Sequence, residues 1–371
     1  MMNNKRTAYL TFHPQLNRLG KNKELTAGLS VALQIGRTVW VANDETISLE
    51  KLTLQDADDE GNFILTEHIQ YPLNDFLPLP VPPSNNWKGE QKIEEADIEG
   101  LDYDDGYLWL VGSHSLKRKK ADKKDTNDNF KALAKVSCDG NRFLLARIPL
   151  ANDGNTYQLK INDNDGDKRR TAALLQGNEK TNDLIDELRK DEHLKMFLDI
   201  PGKDNGFDIE GLAVAGESVF LGLRGPVLRG WAVVLQLELD EDTKEENTQL
   251  KIKSIQKHFL DLSGLGIRDL SKHGDDLLVL AGPTMVLDGP VTIFRWKNAT
   301  QLKKESISFR NDLQNVMDVP YGKGEDYAEG ISLFTPDLNT APQSILVVYD
   351  SAAKSRLFGE SGVKADIFPL L

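Results

Sequence analysis

Glutamate precedes Gly-Leu or Gly-Ile at Glu99, Glu210 and Glu329, and arginine takes the same place before Asp269-Leu270, at Arg268. Three carboxylates brought to short range raise one another's pKa unless something positive compensates them. Oxygen is the donor type on offer and no His or Cys cluster accompanies it, so the fitting ion is calcium or magnesium rather than zinc. Glu99, Glu210, Glu329 and Asp269 are the expected ligands. Arg224 and Arg268 are the other candidate compensators, and a guanidinium fork also suits a carboxylate or phosphate on a ligand.

Three uses of such a group follow. In a metal-dependent hydrolase of phosphatase or esterase type, Glu99, Glu210 and Glu329 hold a cation that activates water, Arg224 and Arg268 steady an anionic ester, and His114 is the candidate general base. In a binding protein the same side chains dock a small anionic molecule or a protein without turnover. In a scaffold they pair with one another and keep the strands in register. The lack of a clear general base favours binding. His114 stands between Ser113 and Ser115, but adjacent residues on a strand end point opposite ways, so no Ser113–His114 dyad is expected.

Other motifs carry less. Asp163-Asn164-Asp165-Gly166-Asp167 resembles the start of a calcium loop, yet aligning Gly166 with the required glycine puts Ile161 first and Ala172 last, where ligands are obligatory. A solvated turn is expected there. No phosphate-binding glycine loop, dinucleotide fingerprint or Gly-x-Ser-x-Gly elbow is present, so no nucleotide or organic cofactor is expected.

The elements that must position these residues repeat along the chain. The motif occurs as Ala27-Gly28-Leu29, Glu99-Gly100-Leu101, Glu210-Gly211-Leu212, Arg268-Asp269-Leu270 and Glu329-Gly330-Ile331. Each is followed by a turn and a β-prone apolar run, namely Val39–Ala42, Tyr107–Val111, Val219–Leu223, Leu277–Ala281 and Ile345–Tyr349. Further strands are traced over Ala132–Val136 and Phe143–Ile148. The spacing predicts one all-β domain over 1–371, a β-propeller of about five four-stranded blades, with six as the other count the repeats allow. Thr7–Phe12 is an orphan strand that supplies the fourth strand of the last unit. The segment 151–202 reads as a helical insertion between the second and third blades, capped at Thr181, with Leu184, Ile185, Leu188, Leu194, Met196 and Phe197 as packing residues.

In such a blade the turn leading into the first strand and the exit of the second lie at one end. Glu99, Glu210, Arg268 and Glu329 should therefore face one another, with Ala27 leaving a gap. Aligning the second strands puts Asp44, Ser113, Arg224, Gly282 and Asp350 in a second ring. The insertions, from Pro78, Pro80, Pro82 and Pro83, from the loop after Leu116 and from the helical segment, fall at the same end, which marks it as the binding face.

The formal net charge of −13 argues against nucleic acid and acidic membranes as partners. The basic run Lys117, Arg118, Lys119, Lys120, Lys123 and Lys124 is diluted by Asp122, Asp125 and Asp128 and reads as a solvated loop. Cys138 is the only cysteine, so no internal disulfide or thiolate cluster can form, and an inert thiol is expected. Met1–Arg6 lacks an apolar signal core and no stretch approaches the roughly 18 apolar residues of a membrane span. A cytoplasmic location is the resulting expectation.

With the repeats in hand, the chain resembles an uncharacterised bacterial family known as a domain of unknown function. The resemblance is carried by Asp97–Leu101, Phe207–Leu212, Gly222-Leu223-Arg224-Gly225-Pro226 through Arg229-Gly230-Trp231, and Tyr327–Ile331, over roughly Asp97–Asp350. The Glu-Gly-Leu motif is also similar to the propellers grouped as esterase-like activity of phytase, through Glu99, Glu210 and Glu329, while Ala27 and Arg268 depart from that pattern. That second likeness implies metal-assisted ester or phosphate-ester hydrolysis.

Overall fold

The computed structural model describes residues 5–20, 23–85, 91–165, 168–242, 248–321, 326–338 and 340–370. Strand β1 (Arg6–Thr11) comes first. The next four are β2 (Leu29–Ile35), β3 (Thr38–Asn43), β4 (Ser48–Leu54) and β5 (Phe63–Pro72). They pair antiparallel in chain order, as alternating strands joined by short turns must. A second unit holds β6 (Ile98–Asp104), β7 (Tyr107–Gly112), helix α1 (Thr126–Ala134), β8 (Leu145–Asp153) and β9 (Ala173–Leu175). Helix α2 (Asp183–Leu188) then precedes β10 (Asp208–Ala215), β11 (Ser218–Gly225), β12 (Trp231–Asp242) and β13 (Thr248–Asp261). The chain closes with β14 (Gly266–His273), β15 (Asp276–Gly282), β16 (Val291–Trp296), β17 (Leu313–Val319), β18 (Tyr327–Phe334), β19 (Ser344–Asp350) and β20 (Gly362–Pro369).

The protein is therefore all-β, with a propeller-like arrangement. Strand β1 pairs antiparallel with β20, from Arg6 opposite Ile367 to Thr11 opposite Gly362, and parallel with β5. The first unit and the last thus share one sheet, in the order β18-β19-β20-β1-β5-β4-β3-β2, and β9 joins the next two units by pairing parallel with β13. The first strands of the units touch in sequence, β2 to β6 to β10 to β14 to β18 and back to β2, so the inner hairpins close a ring. Left-handed glycines turn these hairpins at Gly36, Gly106, Gly216 and Gly274, as the turn signals require.

One irregularity recurs in the inner hairpins. The register slips between Leu29 and Val31, Ile98 and Gly100, Ile209 and Gly211, Ile267 and Asp269, and Ala328 and Gly330. Each slip is a bulge that leaves one residue out of the ladder and re-aims its side chain. The bulged residues are Ser30, Glu99, Glu210, Arg268 and Glu329. The glycine after the bulge has a steric reason, because a Cβ on Gly100 would lie 2.5 Å from Leu212 Cβ and one on Gly330 would lie 2.7 Å from Val31 Cα.

The first repeat of the sequence reading needs correcting. Ala27 is the exposed last residue of a 3-10 turn, and the position equivalent to Glu99 belongs to Ser30, whose hydroxyl donates to Ile98 O at 2.6 Å. The Ala27-Gly28-Leu29 match lies three residues ahead of the true register. The segment 151–202 also differs from an all-helical insertion, since it carries strands Thr156–Leu159, Asn162–Asp165, Lys168–Thr171 and β9 besides α2. Gly166 and Asp167 of the calcium-loop lookalike lie outside the described residues. Leu184, Ile185, Leu188 and Leu194 are buried, whereas Met196 is 74% exposed. The cap of α2 is Asn182, which accepts from Ile185 N–H, because Thr181 spends its hydroxyl on Asp186. Ala132 lies in α1, capped by Asp125, rather than in a strand.

Candidate functional site

The bulges turn charge toward the ring axis. Arg268 forms an ion pair with Glu329 through Nη2, and its Nε lies 3.0 Å from Glu210 Oε2. Arg224 Nη1 donates to the other Glu210 oxygen at 2.5 Å, and its Nε donates to Thr284 O at 2.9 Å. Asp208 stands 4.0 Å from Arg224 Nη1. Side chains from β10, β11, β14 and β18 thus form one buried chain of alternating charge. Burial pushes the Asp208 carboxyl up to about 7, with Glu210 adding to the shift.

Glu99 belongs to the same field but is not saturated by a guanidinium. Burial, and then the charges of Asp97, Glu210, Asp44 and Asp208, hold its carboxyl well above the ordinary range. Asp44 is raised well above its usual value by burial, then by Asp97 and Asp350. The strand register places Asp44, Ser113, Arg224, Gly282 and Asp350 one residue beyond Asn43, Gly112, Leu223, Ala281 and Tyr349, which face equivalent inner-strand positions. Asp44 and Asp350 converge on Gly28, where a Cβ would lie 2.8 and 3.6 Å from their Oδ1 atoms.

Ser113 is drawn into a neighbouring cluster centred on Arg142. That guanidinium pairs with Glu95 at 2.6 Å and Asp97 at 2.8 Å, and it donates to Ser115 Oγ at 2.9 Å and Ser113 Oγ at 3.3 Å. Sequence reading missed Arg142, which sits in a 3-10 turn before β8 with no repeat signal. Asp97 and Asp208 could have been found, because both open the longer matches Asp-Ile-Glu-Gly-Leu.

Two expected site residues lie elsewhere. Asp269 is buried with its carboxylate accepting the N–H groups of Leu270 and Ile331, both at 2.7 Å, so it stitches β14 to β18. His114 is buried, donates Nδ1–H to Gly112 O at 2.8 Å and accepts from Asn182 Nδ2 through Nε2 at 2.7 Å. Both ring nitrogens are spent on tying the β7 exit to the cap of α2. Nor do Glu99, Glu210 and Glu329 fit a metal, because arginines occupy two of the three. Among the described residues no group of three His, Cys, Asp or Glu side chains could hold an ion.

The histidines make a prediction. Burial lowers His114 and His258 to about 4 each. The unfolded chain therefore binds protons that the fold refuses between about pH 6.5 and 4, and stability falls as pH drops through that window. A value of about 4 in place of 6.5 corresponds to about 3 kcal/mol per histidine. Asp102, raised to about 6, and Asp208, raised to about 7, act in the opposite sense. The histidine share is thus read by difference: His114→Asn, which suits the left-handed backbone there, should flatten the loss of urea stability between pH 7 and 5. An unchanged slope would refute a neutral, buried His114.

A cavity of about 160 Å³ opens beside the charge chain, walled by Arg224, Arg268, Glu329 and Asp350. Lys120 and Lys203 reach it from separate insertions, the basic loop and the turn before β10, and although the Lys203 charge is felt by Asp97, neither lysine forms a close ion pair among the described residues. Met285, Val286, Leu287 and Tyr327 form its lip. A larger cavity of about 370 Å³ lies at the hairpin-turn end. Its charges are already used, since Lys272 donates to Asp104 at 2.7 Å and to Val214 O at 2.6 Å, and Asp102 accepts from Val214 and Tyr103 N–H. Of these two cavities, the smaller has lysines without a close ion pair.

Comparison with known proteins sets this geometry in a family, because the model for a protein of unknown function, DUF3616, matches residues 28–366. The chain belongs to that family. The match bears out the first resemblance read from the sequence and gives no support to the phytase-like one. No curated protein matches the chain. Among solved structures, a chain in the Saccharomyces cerevisiae assembly of a Dbp5 variant with Nup159, a Gle1 variant, IP6 and ADP is 7% identical, with 92% of this chain and 76% of that one covered and a TM-score of 0.29. Kluyveromyces lactis Hsv2 is 9% identical over 87% of this chain and 72% of its own, with a TM-score of 0.27. At these scores neither likeness bears on the family member's function. No helix of the described residues is long and apolar enough to cross a membrane.

Proposed function

We propose that this protein is a five-bladed propeller that binds a small anionic molecule in the 160 Å³ cavity at its insertion-bearing end. The five-blade reading is supported by the same bulge in each of the inner hairpins that close the ring, and by β1 completing the last unit as its fourth strand. The binding reading rests on one observation: Lys120 and Lys203 face the cavity without a close ion pair among the described residues, in a chain of net charge −13. Lone cations on a concave wall beside Arg224 and Arg268 suit a carboxylate or phosphate.

The reading is tested by titrating the protein with inorganic phosphate and short-chain carboxylates at low ionic strength, following thermal shift or heat. Charge-assisted hydrogen bonds contribute about 1.5–3 kcal/mol each, so Lys203→Ala should weaken binding by about tenfold or more. Lys120→Ala combined with it should abolish the signal. Equal affinity in the double variant, or no binding by the parent protein, would discard the reading.

A further inference from the structure

We infer that the ligand is a zwitterion of the apolar amino-acid type, its carboxylate toward Lys120 and Lys203, its ammonium toward Asp350 and Glu329, and its side chain against the Met285–Leu287 lip. The inference deepens the anion-binding reading and rests on it. Both signs of charge wall the same cavity. A simple anion held there would also face Asp350 and Glu329, and like charges at short range repel. A molecule that carries both charges a few bonds apart meets each wall with its opposite.

The acidic side is also in surplus. Arg224 and Arg268 are shared among Asp208, Glu210 and Glu329, whereas Asp44 and Asp350 converge on Gly28 with no guanidinium bound to either. An ammonium brings the missing positive charge and three donors without asking the protein for a lysine. Two further features complete the case. Met285, Val286 and Leu287 are three consecutive apolar side chains, 43%, 75% and 54% exposed, at the rim of an otherwise charged cavity. Their loop is moored at the cavity, because Tyr327 Oη donates to Asp288 Oδ1 at 3.2 Å. Exposed apolar groups beside a polar cavity gain by covering an apolar part of a ligand. The cavity of about 160 Å³ has room for one small molecule.

Calorimetric titration of the full chain with four probes separates the parts of this inference. L-leucine should bind at least about tenfold more tightly than N-acetyl-L-leucine, which lacks the ammonium, and than L-leucinamide, which lacks the carboxylate. Glycine, lacking the side chain, should also bind at least about tenfold more weakly. Asp350→Asn should weaken leucine by about tenfold and leave N-acetyl-leucine as tight or tighter, since the repelling carboxylate is gone, while Val286→Ser with Leu287→Ser should erase the preference over glycine. If N-acetyl-leucine binds as tightly as leucine and Lys203→Ala weakens both, the zwitterion is wrong and the anion site stands. If none of the four binds and phosphate and short-chain carboxylates also fail, both readings fall.

Discussion

Replacing Arg268 by alanine should destabilise the protein by about 3–5 kcal/mol, the cost of removing one partner from a buried ion pair. Arg268 touches both Glu210 and Glu329, and only 7% of its surface is exposed. Its removal leaves two carboxylates beside Asp208 and Glu99 with Arg224 as the near cation, so both must take up protons or admit water. Urea denaturation at pH 7 measures the loss. The variant should recover part of its stability at pH 5, where the orphaned carboxyls protonate, which the parent protein should not do to the same extent. A loss under about 1 kcal/mol would mean that the pairs behave as solvated surface pairs, and the axial charge chain would then lose its structural role.

Deleting residues 1–12 should abolish the native fold at 37 °C. The deletion strips β20 of one of its antiparallel partners, β19 remaining on the other edge, and β5 of its parallel one, so two strand edges open at once. It also removes Leu10 and Phe12, both buried, whose burial is worth about 1.5–3 kcal/mol each. Together with the lost ladder, about 5 kcal/mol or more disappears, comparable to the whole stability of many domains. Size-exclusion chromatography and circular dichroism should report an aggregated or unfolded chain. A synthetic peptide of residues 5–13 added in trans should restore the folded species, because the missing strand contributes mainly pairing and apolar contact. A truncated protein that stays monomeric with unchanged melting would contradict the closure of the ring by β1.

These two predictions differ in how far they were legible beforehand. The orphan strand at Thr7–Phe12 could be read from its β-prone residues and from the three strands found after Glu329, since both signals are local. The pairing of Arg268 with Glu210 and Glu329 could not. Repetition located these three residues at one end, but the charge partners depend on side-chain directions that a bulge sets residue by residue. The same limit explains Asp269, which shares the motif with Arg268 yet points the other way to bind Ile331 N–H. It also explains His114, whose ring nitrogens are claimed by Gly112 O and Asn182. Lys120 was read as part of a solvated basic run, and only the path of the chain over the cavity gives it a second neighbourhood.

The first repeat makes the point in another form. Ala27-Gly28-Leu29 satisfies the motif, but Ser30 occupies the bulge because Leu29 pairs opposite Asn43. Register is decided by which face of the strand is buried, and a three-residue pattern is too short to specify it.

What the sequence determined by itself is the set of inner hairpins, their turn glycines and the end of the ring at which polar residues gather. Period-two burial and left-handed turns are properties of neighbouring residues, so they survive without knowledge of the rest of the chain. What only the tertiary structure decided is which charges cancel and which stay unspent: Arg224 and Arg268 spent on Glu210 and Glu329, Lys120 and Lys203 left facing a cavity. Electrostatic pairing falls off with distance through space and ignores distance along the chain, so it is settled only when the ring brings remote strands together.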